Sequence, residues 1–330
     1  MSLEITRREA LGMIGMAGIG IAAGMPAFGA SASEDLLRQR LPKFSAASLT
    51  LLRSLLDDPQ YSGQILSKEV AALAQNEKMS VEELMVALLP LAQSYSRAPI
   101  SNFYVGVVVR GASGSLYSGA NIEIPGQCLG FAVHAEQSAL SNAYMHDEKS
   151  VTALAVGGAP CGHCRQFIDE ASPDGEILIL TPKNGPRKLS VILPEAFGPA
   201  ALGMKDGAFP VRESALSLEQ ASSDALRLAA LDAARKAYAP YSKSPAGVAL
   251  KTAKRIYRGS YIENVAFNPS LSPLQVALAG MIAAREEYSA ISAVTLCEVQ
   301  GAKISQRAVT ETVLGAVAPG VKLEVVEARR

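Results

Sequence analysis

The chain carries one set of side chains whose types and spacing suit a metal ion. His134 and Glu136 lie in one segment, and Cys161 and Cys164 follow in the segment Pro160-Cys161-Gly162-His163-Cys164. One imidazole and two thiolates are three protein ligands for Zn²⁺, which leaves the fourth tetrahedral position for water, as in catalytic zinc sites. Glu136 is two residues from His134 and is the natural carrier of a proton. The spacing therefore predicts a zinc site for hydrolytic chemistry.

Cys161 and Cys164 could also serve purposes other than binding a catalytic metal. A lone C-x-x-C is often a redox pair, a disulfide or half of a structural zinc site. His134 supplies a third donor and no second C-x-x-C follows, so we favour catalytic zinc. His163 lies between the two cysteines, which indicates a role in the turn or beside the ligands. Cys128 and Cys297 have no partners in sequence and are predicted to be buried as small apolar residues.

The elements around these residues indicate an α/β fold, because strands and helices alternate and helices then cover a sheet. Residues 34–91 have apolar side chains at helical spacing with breaks at 57–59 and 77–78, which predicts several short helices. Residues 182–210 contain Pro and Gly and are predicted to connect two domains. The predicted strands are residues 104–109, 116–117, 151–156 and 177–180, and the predicted helices are 133–144 and a segment from about 161.

A second copy of this pattern follows about 140 residues later. A nearly constant offset across strand, turn and helix implies one supersecondary unit used twice. Where the first copy has His134-Ala135-Glu136, the second has Ser272-Pro273-Leu274, and no C-x-x-C follows it. The second copy therefore keeps the signals of the fold and lacks the reactive groups. The matching segments include 97–101 with 238–242, 117–123 with 257–263, and 137–140 with 275–278.

Residues 1–32 have the composition of an export signal. Thr6-Arg7-Arg8 precedes a run without charge from residue 11 to residue 33, and six glycines interrupt that run. The glycines favour a signal peptide over an anchor, so no stable membrane anchoring is expected. Ala30-Ser31-Ala32 offers a cleavage site of small residues, and the paired arginines resemble a twin-arginine signal. We expect cleavage and export to the periplasm; the alternatives are an uncleaved anchor, or a cytoplasmic protein with an additional N-terminal helix.

Composition excludes some partners. The chain of 330 residues contains 31 Lys and Arg and 31 Asp and Glu, so its formal net charge is zero. A neutral chain without a basic, aromatic-rich stripe has no general attraction to a phosphate backbone, so we expect no binding to nucleic acid. The length and the hydrophobic share of 49% suffice for two or three folded units. Small neutral partners fit best.

Taken together, the motifs resemble those of bacterial cytidine deaminases of the two-domain, homodimeric type. H-x-E followed by P-C-x-x-C is the signature of zinc deaminases, and the match includes Ser101-Asn102-Phe103 and residues 240–245. The resemblance implies a three-layer α/β/α fold of the cytidine deaminase type, duplicated as a catalytic and a degenerate copy. The expected boundaries are 1–32 for the signal, 33–78 for a small helical region, 79–200 for the catalytic domain and 201–330 for the degenerate domain.

The resemblance also implies roles for individual residues. His134, Cys161 and Cys164 would bind one Zn²⁺ per subunit, and Glu136 would be the proton donor. The implied substrate-binding residues are Asn121 and Glu123 for the ribose hydroxyls, Phe103 for the pyrimidine, Ala135 beside the ligands, and Phe197, which is expected to reach the partner subunit's site.

The activity implied by the resemblance is hydrolytic deamination of cytidine and 2′-deoxycytidine to the uridines and ammonia, for pyrimidine salvage or scavenging. Water activated at zinc would attack C4 of the base, while Glu136 would pass protons to N3 and the leaving amine. One alternative is a deaminase for another aminated nucleoside or heterocycle. Another is a non-catalytic binding protein, suggested by the degenerate copy. The intact ligand set and Glu136 in the first copy argue against an inert protein.

Overall fold

The structure, a computed structural model, describes residues 30–330. The predicted export signal therefore lies outside the described residues, apart from its last three positions, which begin the first helix. Among the helices that the structure describes, none combines the length and the apolar character needed to cross a bilayer.

Five short helices open the described chain, as the periodicity predicts. Ser45 caps the second helix by accepting a bond from Ser48 N, and Ser80 and Glu83 form a capping box at the fourth. The third helix ends where Lys78 adopts a left-handed conformation, at a predicted break. The helices are α1 (Ala30–Arg40), α2 (Ala46–Leu56), α3 (Ser67–Glu77), α4 (Val81–Ala87) and α5 (Leu89–Gln93).

The first sheet has six strands in the order β1-β3-β2-β4-β5-β6. Strand β2 pairs antiparallel with β3 and β4, and β4 pairs parallel with β5. Helices α6 (Ala135–Met145), α7 (Gly162–Ala171) and α8 (Leu189–Ile192) belong to this part of the chain. The strands are β1 (Gln64–Ile65), β2 (Gly106–Gly111), β3 (Leu116–Ala120), β4 (Val151–Val156), β5 (Leu178–Thr181) and β6 (Asn184–Lys188).

The second sheet repeats this arrangement in the order β7-β11-β10-β8-β9. Strand β8 pairs antiparallel with β9 and β10, and β10 pairs parallel with β11. The duplication inferred from the sequence is therefore confirmed. Its elements are β7 (Ser217–Leu218), α9 (Ala225–Arg235), β8 (Ala246–Lys251), β9 (Ile256–Ser260), α10 (Pro273–Ala283), β10 (Ala293–Val299), α11 (Arg307–Val317) and β11 (Leu323–Arg329).

One glycine in each copy allows a helix to lie directly on a strand. A Cβ on Gly119 would stand 2.1 Å from Ala139 N, and a Cβ on Gly259 would stand 2.5 Å from Ala277 N. These distances are far below a van der Waals contact, so any side chain here would push α6 or α10 off its sheet. The same close approach in both copies explains why both retain the glycine.

The two copies share one apolar core. Helices α6 and α10 pack against each other, and side chains of both, including Leu140 and Leu278, belong to the same buried cluster. Helix α10 is apolar on almost all sides, as expected for a helix buried from every direction. The N-terminal helices are held by the second copy, since Arg285 donates to Ser33 Oγ at 2.8 Å and to Leu56 O at 3.1 Å.

Two sequence-based expectations were wrong. The predicted connection at 182–210 contains strand β6, which pairs with β5; the strand is short, polar and mostly exposed, so it has no hydrophobic pattern to reveal it. Cys128 is exposed and not buried, because it precedes a single 3₁₀ turn (Leu129–Phe131) at the protein surface. Cys297 is buried, as expected.

A buried acid on α7, Asp169, points toward Gly198 in the loop that follows α8. Asp169 is 4% exposed, and its Oδ2 has no hydrogen-bond partner. Burial, aided by the neighbouring Glu170, raises the pKa of Asp169 to about 6 from an ordinary 3.8. The folded state disfavours the ionised form of Asp169. The residue therefore lowers the free energy of unfolding by an amount that grows as the pH rises from about 4 to above 6.

We predict that Asp169→Asn stabilises the protein, because the amide cannot ionise. The gain in the free energy of unfolding should be about 3 kcal/mol at pH 7.5 and about 1 kcal/mol at pH 4.5, at 1.36 kcal/mol per pKa unit. Urea denaturation of variant and parent at both pH values measures it. If the gain in the free energy of unfolding were the same at both pH values, it would not come from the ionisation of Asp169.

Candidate active site

The predicted metal ligands lie at one edge of the first sheet. Strands β3 and β4 flank β2 and run in the same direction, so the helices that follow them begin at the same edge. His134 is the N-cap residue of α6, and Cys161 is the N-cap residue of α7. Cys164 lies in the first turn of α7. This is the edge where open α/β sheets commonly bind ligands.

The three donors are close enough to share one ion. His134 Nδ1 lies 3.6 Å from Cys161 Sγ and 3.2 Å from Cys164 Sγ, and the two sulfurs are 3.4 Å apart. Tetrahedral zinc with ordinary bond lengths separates two sulfurs by about 3.8 Å and a sulfur from a nitrogen by about 3.6 Å. The donor set and its spacing therefore fit zinc. The separation of the two sulfurs is well beyond the length of a disulfide bond, about 2.05 Å, so this arrangement of the cysteines is that of two metal ligands and not of a bonded pair.

Within residues 30–330 this is the only group of three such donors found. His163 is not part of it. Its ring stacks on the His134 ring with centroids 5.0 Å apart, and burial together with His134 lowers the pKa of His163. A neutral ring on one face of His134 restricts how that imidazole can turn.

Glu136 is buried in the first turn of α6, with 5% of its surface exposed. Burial raises the pKa of the Cys164 thiol well above its usual range, and the adjacent Glu136 carboxylate adds to the effect. The carboxylate therefore lies beside the donor cluster without belonging to it. That position suits a group that passes protons and leaves the metal's remaining position to other ligands.

Asn121 and Glu123 follow β3 at the same edge. Asn121 Oδ1 accepts bonds from Ser96 Oγ at 2.6 Å and Val105 N at 2.9 Å, and its Nδ2 donates to Phe103 O at 2.9 Å. The Asn121 amide thus holds the segment that carries Phe103. Phe103 itself is 46% exposed.

The Glu123 carboxylate holds the loop before Phe103. It accepts bonds from Ile100 N at 2.7 Å, Ser101 N at 3.0 Å and Ser101 Oγ. Burial alone would raise the pKa of Glu123, but these hydrogen bonds lower it, so the carboxylate stays ionised. Glu263 accepts the equivalent bonds from Tyr241 N and Ser242 N in the second copy. Because both copies hold this loop in the same way, the contact belongs to the fold that the copies share and is not confined to the candidate site.

Helix α7 also holds the segment that carries Phe197. Arg165 donates to Pro160 O at 2.9 Å and to Ile192 O at 2.8 Å, and Gln166 donates to Phe197 O at 2.7 Å. The Phe197 backbone is thus fixed, while its ring is 51% exposed. Ala135 differs from the other predicted substrate residues, because its methyl group is buried.

The roles of Arg165, Gln166 and Gln137 were not predictable from the sequence, because they bond to backbone carbonyls that are distant in sequence. For Gln137 one signal was present, since the repeat places Gln275 at the same position of the second copy.

Comparison with known proteins defines the class of this chain. Two family models match it, both described as the cytidine and deoxycytidylate deaminase zinc-binding region, one over residues 79–180 and one over residues 189–311. The chain belongs to the cytidine and deoxycytidylate deaminase family, and its metal is zinc.

Individual relatives are similar over most of their length. The cytidine deaminase of Vibrio parahaemolyticus is 42% identical over 298 residues, which cover 90% of this chain and 96% of the relative. That of Aliivibrio fischeri is 40% identical over 292 residues, covering 87% and 98%. A crystal structure of cytidine deaminase from Mycobacterium tuberculosis is 29% identical, with a TM-score of 0.33, and covers 35% of this chain and 96% of that chain.

Proposed function

We propose that the protein hydrolyses cytidine and 2′-deoxycytidine to uridine and 2′-deoxyuridine with release of ammonia. The observation that carries this function is the cluster of His134, Cys161 and Cys164 with the buried Glu136 carboxylate beside it. Three protein ligands of this kind leave zinc a position for a reactant, which distinguishes a catalytic site from a structural one. The relatives named cytidine deaminase support the choice of substrate.

Zinc, when bound, supplies the electrostatic activation that makes water a nucleophile at neutral pH. Glu136 receives the proton that the water loses and delivers it to N3 of the pyrimidine, which makes C4 electrophilic. After the water oxygen has added to C4, the same carboxyl takes the remaining proton of the new hydroxyl group and passes it to the amino group, so that ammonia leaves and the C4 carbonyl forms. Burial keeps Glu136 away from bulk water and favours transfer between the reacting groups.

The sugar and the base are held by the residues around β3. Asn121 and Glu123 contact the ribose hydroxyls, and the ionised Glu123 is a strong acceptor for them. The exposed ring of Phe103 packs on the pyrimidine, and the backbone at Ala135 lies next to the base. These contacts favour a nucleoside over free cytosine. They also support salvage or scavenging of pyrimidine nucleosides as the purpose of the reaction.

The substrate assignment is tested by ammonia release from cytidine, 2′-deoxycytidine, cytosine and CMP. We expect the two nucleosides to react and free cytosine to react at least about a hundredfold more slowly, since it offers no sugar hydroxyl to Asn121 and Glu123. CMP should also react poorly. A zinc chelator should abolish all activity, and added zinc should restore it. Preference for free cytosine, or for another aminated heterocycle, would overturn the proposal.

We further propose that the working form is a homodimer in which Phe197 reaches the partner subunit's site. Large apolar side chains are exposed on loops that precede α6 or contact α7: Phe197 at 51%, Leu129 at 73% and Phe267 at 70%. Asn264 donates to Gln166 O, so the loops of Phe267 and Phe197 converge on α7. A second copy would cover this surface. Sedimentation of the purified protein should give twice the chain mass; a monomer with full activity would refute the dimer.

We also propose that the chain is exported before it acts. The paired arginines, the uncharged run and the small residues at 30–32 support this. Cleavage after Ala32 would retain Ser33 and its bond to Arg285. N-terminal sequencing of periplasmic protein should begin near Ser33, whereas an intact Met1 in cytosolic protein alone would reject export.

A further inference from the structure

One pair of hydrogen bonds joins the zinc-ligand helix to the second copy. Gln137 Oε1 accepts the backbone N–H of His134 at 3.1 Å, and Gln137 Nε2 donates to Pro269 O at 2.9 Å. The side chain is 2% exposed, so water does not replace either bond. A single planar amide thus connects a metal ligand with a loop whose Pro269 lies 132 residues after Gln137 in the sequence.

The second copy makes the reciprocal connection. Gln275 Oε1 accepts the backbone N–H of Ser272 at 3.0 Å, and Gln275 Nε2 donates to Phe131 O at 2.9 Å. Gln275 follows Gln137 by 138 positions, and Pro269 follows Phe131 by the same number. The two bonds are therefore related by the internal symmetry, and each fastens one copy to the loop before the other copy's helix.

The chemical consequence differs between the two positions. In the second copy the capped residue is Ser272, which is not part of the donor cluster. In the first copy it is His134, whose Nδ1 faces the two cysteine sulfurs. The position of the His134 backbone decides where that nitrogen points, and small displacements of catalytic groups are costly to the rate.

We infer that Gln137 is a positioning residue through which the degenerate second copy sets the place of the zinc ligand His134. The second copy then contributes to the reaction without reactive groups of its own. The carbonyl of Pro269 orients the Gln137 amide, and the amide fixes the N-terminus of α6. Residues that orient metal ligands in this way commonly affect metal affinity or activity by about 10–100-fold.

The internal symmetry supplies a matched control. Gln137→Met and Gln275→Met each remove one cap bond and one bond between the copies, at buried sites related by the internal symmetry. Their melting temperatures should fall by similar amounts. We expect zinc release into a chelator to be at least about tenfold faster for Gln137→Met, and its kcat to fall about 10–100-fold with little change in KM. For Gln275→Met both quantities should stay within about threefold of the parent.

Two further measurements separate positioning from simple destabilisation. The visible absorption bands of the Co²⁺-substituted protein report coordination geometry, and they should shift in Gln137→Met and not in Gln275→Met. If the Met variants fail to fold, Gln137→Asn and Gln275→Asn give the same comparison, because the shorter amide cannot reach both partners. Equal effects at the two positions, or parental zinc release and kcat in the Gln137 variant, would overturn the inference.

Discussion

A Glu136→Gln protein is expected to fold, to bind zinc and to deaminate cytidine at least about a thousandfold more slowly than the parent. The amide has nearly the same shape as the carboxyl, so the buried site beside Cys164 stays filled. It cannot accept the proton that water loses. Since the same group serves ring protonation and departure of the amine, one substitution disables several steps at once.

The measurement is steady-state turnover of cytidine together with the zinc content of the same preparation. Glu123→Gln is the matched control, because Glu123 is a second carboxylate at the same sheet edge that is assigned to binding. Its main effect should be on KM, with kcat reduced far less than in Glu136→Gln. A zinc-loaded Glu136→Gln or Glu136→Ala protein that retains a tenth of the parental turnover would refute the role of Glu136.

Cys164→Ser should remove both the metal and the activity. Cys164 is fully buried in the first turn of α7, and its sulfur lies 3.2 Å from His134 Nδ1. An alcohol at this position is a far weaker ligand than a thiolate, which leaves only His134 and the exposed Cys161. We expect fewer than about 0.1 zinc ions per chain after dialysis and turnover below about one-thousandth of the parent.

Cys297 provides the control for this experiment. It is a free cysteine that is equally buried, on β10 of the second copy. Cys297→Ser makes the same change in volume and polarity away from the donors, so it should keep stoichiometric zinc and parental turnover per folded molecule. Atomic absorption of both variants checks the prediction. Stoichiometric zinc in Cys164→Ser would show that the three-ligand assignment is wrong.

Local sequence patterns were sufficient to predict most of the fold. The short apolar run Val151–Val156 was correctly predicted to be a strand, and helices were correctly predicted over residues 133–144 and from about residue 161, where the structure has α6 and α7. The donor cluster was also predictable, because H-x-E and C-x-x-C motifs that open successive helices at one sheet edge bring their ligands together. The repeat predicted the second sheet and its lack of a metal site.

Contacts between distant segments were not predictable in this way. Strand β1 consists of Gln64–Ile65 alone and exists through its pairing with β3, so no periodicity could reveal it. The burial of Gln137 and its bond to Pro269 depend on how the two copies pack. The exposure of Phe103 and Phe197 depends on what covers the site. The ribose and pyrimidine roles of Asn121, Glu123 and Phe103 remain predictions for the experiments above.

The paired glycines bear on how variants of this protein should be interpreted. Gly259 lies in the copy without chemistry, yet a side chain there would collide with Ala277 as surely as one at Gly119 would collide with Ala139. Inactivating alleles should therefore be found throughout the gene, including where no substrate is handled. Those in the second copy would act by disturbing the fold and would not indicate a second reaction centre.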